Sequence, residues 1–209
     1  MSGIFRIVVP LGLPEVIRVG LLSVTFTTCR DLRIEELERP DPLDHLNEAF
    51  DLLFHFGDAP ERADFASRLV GRAPLMPLAS ETYLAEHGRP SSPGDLADHR
   101  VLAWRIGRAI PTVWPLRAGG GVDVDPVFCS RNGLLMHRLA EEGMGILLGD
   151  PNPHMRTAPA PLVPVLEDHI RSQVTLRCVQ PVSGRSDPRL RKVLEPIEAA
   201  LERLGRAAR

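Results

Sequence analysis

The sequence predicts an α/β fold built as two subdomains that the chain joins by two crossover segments. Three observations carry that expectation. Between Phe5 and Phe56, short apolar or β-branched runs alternate with helical spacing in the order βαβαβ, which implies parallel strands and right-handed crossovers. From Arg72 to His99, one strand is followed by two small capped helices with almost no apolar periodicity of their own, as expected where a chain leaves one compact unit for another. Towards the end, Gln173–Val179 reads as a return strand and Pro188–Leu204 as an amphipathic helix with Leu190, Val193, Leu194, Ile197, Leu201 and Leu204 on one stripe. The expected division is residues 4–78 with 181–209 in one subdomain and 79–180 in the other.

In order, Phe5–Pro10 is a buried strand ended by proline, Leu11-Gly12-Leu13 a tight turn, and Pro14 sits at N1 of a helix running to about Cys29. Ile17, Leu21, Val24 and Thr28 have helical spacing there, with Leu22 and Phe26 beside them. Arg33–Leu37 is a second strand. Asp41 caps a short helix over Pro42–Ala49, and Phe50–Phe56 is a third strand stopped by Gly57-Asp58. Pro74–Ala79 has strand length. Ser80 is placed to cap Glu81–His87, with Gly88 and Pro90 ending that helix, and Ser92-Pro93-Gly94-Asp95 has the form of a capping box. Val101–Trp104, Thr112–Leu116 and Val122–Pro126 are strands around a hairpin turn at Gly119-Gly120-Gly121. Ser130 or Asn132 caps the next helix, expected to face Leu134, Leu135, Met136 and Leu139 inward. Gly143 stops it, Ile146–Leu148 is a strand, and Leu162–Leu166 is another.

Two stretches resemble a known family. ASETYLAEHGRPSSPGDLADHRVL is similar to the A-S-P-x-Y-L-x-x-x-G-x-P-x-x-P-x-D-L-x-x-H stretch of LysR-type effector-binding domains, matched at Ala79, Ser80, Tyr83, Leu84, Gly88, Pro90, Pro93, Asp95, Leu96 and His99. Glu81 stands where proline is usual. The pattern N-x-x-x-x-x-x-A-x-x-G-x-G-I-x-x-x-P is similar to Asn132 through Ile146, with Gly143-Met144-Gly145-Ile146 in register and Asp150-Pro151 at the strand end. The strand D-L-x-x-R-x-G is matched by Asp51 to Gly57, with His55 in place of the arginine. The resemblance covers nearly the whole chain. It implies two Rossmann-like subdomains of periplasmic-binding-protein type II architecture, and it implies the sensory half of a transcription regulator. The family's N-terminal winged helix-turn-helix has no counterpart in these residues.

The bulk properties exclude several classes. A net charge of −2 and a pI near 6.4 argue against direct nucleic-acid binding by this segment, so any contact with DNA is expected only through the missing N-terminal domain. No apolar run approaches a membrane span, and the apolar start is short and interrupted by Arg6. Cys29, Cys129 and Cys178 are odd in number and have no metal or redox spacing, which fits unpaired thiols in a reducing cytoplasm. The histidines show no HxxH or HExxH spacing, and there is no GxSxG turn. Glu35-Glu36 and Glu141-Glu142 are sequence neighbours that point apart, and Asp123 with Asp125 lack a third ligand. We expect no catalysis, no cofactor and no metal.

Open α/β sheets place ligands beyond their strand C-termini, so the cleft between the subdomains is the expected effector site. Its expected lining is Leu11, Gly12 and Leu13, then Arg39 and Pro40, Phe56 and Gly57, Ala79, Ser80 and Glu81, and opposite them Arg131, Asn132 and Gly149. The family often carries a hydroxyl at the first of these corners, where this chain has Gly12. Pro14 removes an amide there and Glu15 adds a like charge, which disfavours a simple carboxylate at that helix start and suits a small, partly apolar effector. Arg39 or Arg131 could hold an anion from another side, although each reads first as a surface or structural charge. Trp104 and Trp114 read most simply as core or interface residues, and Ser80 as a cap. The resemblance further implies a homodimer or tetramer that pairs Ile17–Phe26 and Arg33–Leu37 of one subunit with Leu134–Glu142 of another. The rival reading is a solute-binding protein of a transport system, which shares the two-subdomain plan. A small α/β enzyme is the third.

Overall fold

The computed structural model describes residues 3–107, 110–152, 155, 161–182, 192–196 and 199. The chain opens with β1 (Ile4–Pro10), α1 (Glu15–Thr28), β2 (Arg33–Arg39), a 3-10 turn at Pro42–His45, β3 (Leu52–Phe56) and the long β4 (Phe65–Ala79). α2 (Glu81–His87) and a second 3-10 turn at Pro93–Asp98 lead to β5 (Val101–Trp104), β6 (Val113–Pro115), β7 (Gly121–Asp123) and β8 (Pro126–Ser130). Then come α3 (Gly133–Glu141), β9 (Ile146–Gly149), β10 (Val163–Pro164) and β11 (Ser172–Pro181). Contacts divide the chain into two units, Met1–Arg72 with Thr175–Arg209, and Ala73–Val174, so both passages between them run inside strands, β4 and β11.

In the first unit, β1 lies between β2 and β3 and is parallel to both, and β11 returns antiparallel to β3. Alternation along the strands sends Phe5, Ile7, Val9, Leu52, Phe54, Leu176 and Cys178 to one face, where they meet Leu13 and Leu21. The opposite face carries Val8, Leu53 and Val179 against Leu46 and Phe50. α1 begins one residue later than the sequence suggests: Pro14 is its N-cap, with no side-chain cap, because its ψ of 137° is extended rather than helical. Leu21 and Thr25 are the helix's buried residues, and Thr25 gives its hydroxyl proton to the Leu21 carbonyl. Phe26, expected beside the apolar stripe, is 60% exposed. The helix expected over Pro42–Ala49 is only a 3-10 turn, held by Asp41 accepting from the Leu43 amide, and β3 starts at Leu52 rather than Phe50. Of the terminal helix, residues 192–196 and 199 are helical, and Val193 and Leu194 pack into this unit's core. The other residues of that expected helix lie outside the described residues.

In the second unit, β9 stands between β4, to which it is antiparallel, and β5, to which it is parallel; β8 pairs parallel with β5, and β10 pairs with β4. The core gathers Tyr83, Leu84, Leu96, Val101, Trp114, Ile146 and Ile170. β6 and β7 form the expected hairpin, closed at Gly119 and Gly120, both with positive φ. Three expectations need correction. The strand expected over Val122–Pro126 is two strands, β7 and β8, separated at Val124-Asp125, where the Val124 amide donates to the Thr112 carbonyl at 2.8 Å rather than continuing a single ladder. The strand expected over Leu162–Leu166 is only Val163–Pro164, since Leu166 turns with a φ of 53°. α3, capped by Asn132, turns Gly133, Met136, His137, Ala140 and Glu141 inward, while Leu135 is 40% exposed.

Candidate functional site

The first unit gathers three of the expected segments at one sheet edge. β1 and β2 end in register, Pro10 opposite Arg39, so Leu11–Leu13 and Arg39-Pro40 leave the sheet side by side, joined by the Leu11 amide donating to the Arg39 carbonyl at 2.8 Å. Gly12 turns the chain with a φ of 77°, a conformation that favours glycine. Leu13 puts its side chain into the core, so only its backbone faces the edge. Phe56 and Gly57 leave β3 at the same end. The Gly57 amide donates to the Thr175 carbonyl at 2.9 Å, and the Thr175 hydroxyl donates to the Gly57 carbonyl at 2.6 Å. Arg39 lies 3.5 Å from Glu48, whose other carboxylate oxygen is 2.6 Å from Nδ1 of His45. The His45 hydrogen bond, with Arg39 behind it, holds the Glu48 carboxyl below its ordinary range.

Next to this edge lies a pair that sequence reading did not assign. His55 and Arg177 are register partners on β3 and β11, so their side chains project from the same face as Leu53 and Val179. His55 is 1% exposed. Its Nδ1 is 3.1 Å from the Phe56 carbonyl, which can only accept, so Nδ1 carries the proton and Nε2 presents a lone pair. That Nε2 is buried without a hydrogen-bond partner, and so is Nε of Arg177. Burial pushes the imidazole below its ordinary value, and Arg177 adds to the effect against the Phe56 carbonyl, Asp41 and Asp58.

In the second unit, β5, β8 and β9 are parallel and end together. Trp104 is opposite Ser130, and β5 pairs with β9 from Val101 opposite Ile146. Arg131, Asn132 and Gly149 therefore share an edge. Asn132 accepts from the Leu135 amide at 3.1 Å and caps α3, and the Arg131 carbonyl accepts from the Trp104 indole at 3.1 Å. Trp104 is buried against Gly133, where a Cβ would come within 3.0 Å of the indole. Ala79, Ser80 and Glu81 are elsewhere. β4 runs antiparallel to β9 with Met76 opposite Gly149, which carries Ala79 to the other end of β9. There Ser80 accepts from the Tyr83 amide at 3.2 Å, and Glu81 is an exposed partner of Arg89 at 3.4 Å. These three are structural residues of the α2 start and do not join Arg131, Asn132 and Gly149.

This unit also contains a recess of about 180 Å³ between α3 and the end of β9, lined by Leu78, His137, Glu141, Asp150, Asn152 and Leu162 among others. Its four polar residues are all buried. Asp150 accepts from both the backbone and the side-chain amide of Asn152. His137 and Glu141 are one helical turn apart, so the i, i+4 spacing on a capped helix was the signal available in the sequence. Among the described residues, no group of three or more His, Cys, Asp or Glu is arranged to hold a metal ion. No described helix is long and apolar enough to cross a membrane.

Comparison with known proteins gives the family and the fold. A family model described as the LysR substrate binding domain matches residues 4–202. A curated relative, an uncharacterized HTH-type transcriptional regulator YhjC of Escherichia coli K12, is 30% identical over 104 residues, which is 50% of this chain and 34% of that protein. The match thus spans about a third of the relative's length. Among solved structures, the regulatory domain of CrgA, a LysR-type regulator from Neisseria meningitidis, superposes with a TM-score of 0.79 at 19% identity over 98% of this chain and 100% of that one. Full-length AphB of Vibrio cholerae gives 0.71 at 19% over 95% and 68%. The effector domain of AmpR from Pseudomonas aeruginosa gives 0.68 at 17% over 95% and 98%. At these identities the structural likeness establishes the fold alone, that of the periplasmic-binding-protein type II effector domains.

Proposed function

The chain belongs to the family of LysR substrate-binding domains, and from that premise we propose that it senses one small-molecule effector and passes the signal to a DNA-binding segment outside residues 1–209. The family match over 4–202 is the observation that carries the reading. The family is one of effector-binding domains of transcription regulators, not of enzymes. The effector contacts we assign are the segments at the C-terminal edges of the parallel strands, namely Leu11, Gly12 and the Leu13 backbone, Arg39, Pro40, Phe56 and Gly57 in one unit, and Arg131, Asn132 and Gly149 in the other. Each unit offers its strand ends as an open α/β sheet offers them to a ligand. The proposed mechanism is population shift, the effector favouring one arrangement of the units over another. We place the protein in the cytoplasm, acting as a homodimer or tetramer.

A thermal-shift screen of the domain against a metabolite library tests this. A true effector at ~100 times its dissociation constant should stabilise the fold by about 2.7 kcal/mol, and Arg131→Ala or Gly57→Val should weaken that response. A library spanning acids, amines, sugars and aromatics that leaves the melting temperature unmoved would overturn the sensor reading.

A further inference from the structure

Buried polar atoms in folded proteins are nearly always hydrogen-bonded, and an exception calls for an explanation such as a function, a water or an ion. The first unit has four such atoms among its described residues, on His55, Ser67, Arg177 and Gln180, and two of them belong to residues that stand side by side. Nε2 of His55 and Nε of Arg177 are buried without partners, on residues directly opposite each other across β3 and β11. Among the described residues Arg177 forms no ion pair, and of the described arginines only Arg105 shares with it a buried Nε without a partner. Two neighbouring groups that can both be cationic donors therefore face the same side of the sheet, and no carboxylate of a described residue is bonded between them. The pair adjoins the expected ligand edge: Phe56 and Gly57 follow His55, and Thr175, two residues before Arg177, is hydrogen-bonded to Gly57.

We propose that His55 and Arg177 form an anion subsite that receives the acidic group, a carboxylate or a phosphate, of a small-molecule effector. The inference deepens the sensor reading and rests on it. Arg177 supplies a permanent charge and N–H donors that suit either oxyanion. His55 supplies the second donor only when protonated, because its Nδ1 proton is already committed to the Phe56 carbonyl. Anion binding is therefore coupled to proton uptake from solvent: Nε2 takes a proton, the imidazolium donates it to the oxyanion, and no other bond is made or broken. The charged groups that act on His55 are Arg177 from β11, Asp41 before the 3-10 turn and Asp58 after β3. The two carboxylates ease protonation, and Arg177 opposes it until an anion offsets its charge. This acid-binding corner is distinct from the start of α1, where Pro14 and Glu15 make carboxylate binding unfavourable.

The test follows the His55 imidazole by NMR in the 209-residue chain labelled with 15N-histidine, assigned by the signal lost in His55→Gln. The probes are benzoate and inorganic phosphate, with benzamide and benzylamine as neutral and cationic controls. Expected is a rise in the His55 titration midpoint of about one pH unit with an acid probe, linking proton and anion binding roughly tenfold. Neither control should move it, and in Arg177→Met, checked for folding by its melting temperature, the acid effect should vanish. A midpoint unmoved by both acids, as a simple bridging water would leave it, overturns the inference, as does an equal rise in Arg177→Met. A neutral or amine effector that stabilises the wild-type and Arg177→Met domains equally overturns the anion subsite and leaves the sensor reading intact. Failure of the whole metabolite screen removes the sensor reading itself.

Discussion

The Tyr83 hydroxyl accepts from the Arg100 amide at 2.9 Å and lies 3.1 Å from Nδ1 of His99. The hydroxyl keeps a second acceptor position, so the direction of its bond with Nδ1 follows the His99 tautomer. Burial, together with nearby His87, pushes His99 below the ordinary histidine value of 6.5. In both His99 and His55 the unfolded chain thus binds the proton more readily than the folded one. The linked stability is complete above pH 6.5 and is lost as pH falls from there through the folded midpoints. Melting temperatures taken from pH 7.5 to 5 should fall on the acid side, and His99→Gln should flatten part of that decline. Gly145 makes a second residue-scale prediction. A Cβ there would sit 2.4 Å from the Arg100 carbonyl oxygen, the atom that accepts from the Ile146 amide at 2.8 Å. Gly145→Ala should cost about 3 kcal/mol in a urea melt, since backbone must move to admit it. The glycine itself was legible in the Gly143-Met144-Gly145-Ile146 motif. Its reason was not, because Arg100 reaches it only through the pairing of β5 with β9.

At the scale of elements, α2 was the most legible. Its cap, first-turn acid and stop glycine are local signals, and Ser80, Glu81 and Gly88 each take the expected place. Ser80→Ala should therefore lower domain stability by about 1 kcal/mol in a denaturant melt, more than Ser80→Gly, which keeps the backbone freedom of a cap position. α3 was legible in its start and stop, at Asn132 and Gly143, but not in its inward face. Its buried positions include Gly133, His137, Ala140 and Glu141, whose small or polar side chains contribute no hydrophobic period. The first half of β4 was missed for a related reason: Phe65 to Arg72 is half-exposed and mixes Ser67, Arg68, Gly71 and Arg72 with the apolar residues. His55 was noticed as a departure from a family pattern, yet its partner Arg177 lies on a strand 122 positions later, beyond the reach of any local spacing.

At the scale of the whole molecule, the α/β class and the parallel start of the first unit follow from alternating periodicities, whereas the insertion of β11 beside β3 needs pairing information that periodicity lacks. What the structure adds is a group of exposed apolar residues on each unit, among the described residues. In the first, Val16, Val19 and Phe26 stand along the outer face of α1, with Val19 54% exposed. In the second, Val127 and Phe128 on the edge strand β8, with Leu135 on α3, are exposed in the same way. Exposed apolar residues spaced along one helix face or one sheet edge suit burial by a partner better than solvent. Beside them, the β2 side of the first unit is charged, with Arg18 bonded to both Glu36 and Glu38, and such polar surroundings are usual at an interface rim. The proposed dimer pairs α1 and β2 of one subunit with α3 of another, which would cover both apolar surfaces with one symmetric contact made twice. Sedimentation velocity should find the wild-type chain dimeric and the Val19→Asp, Phe26→Asp variant monomeric. Because both side chains are solvent-facing within the subunit, the variant's own fold should change in stability by no more than about 0.5 kcal/mol each. A wild-type chain that sediments as a monomer at high concentration would show that these surfaces serve some other partner.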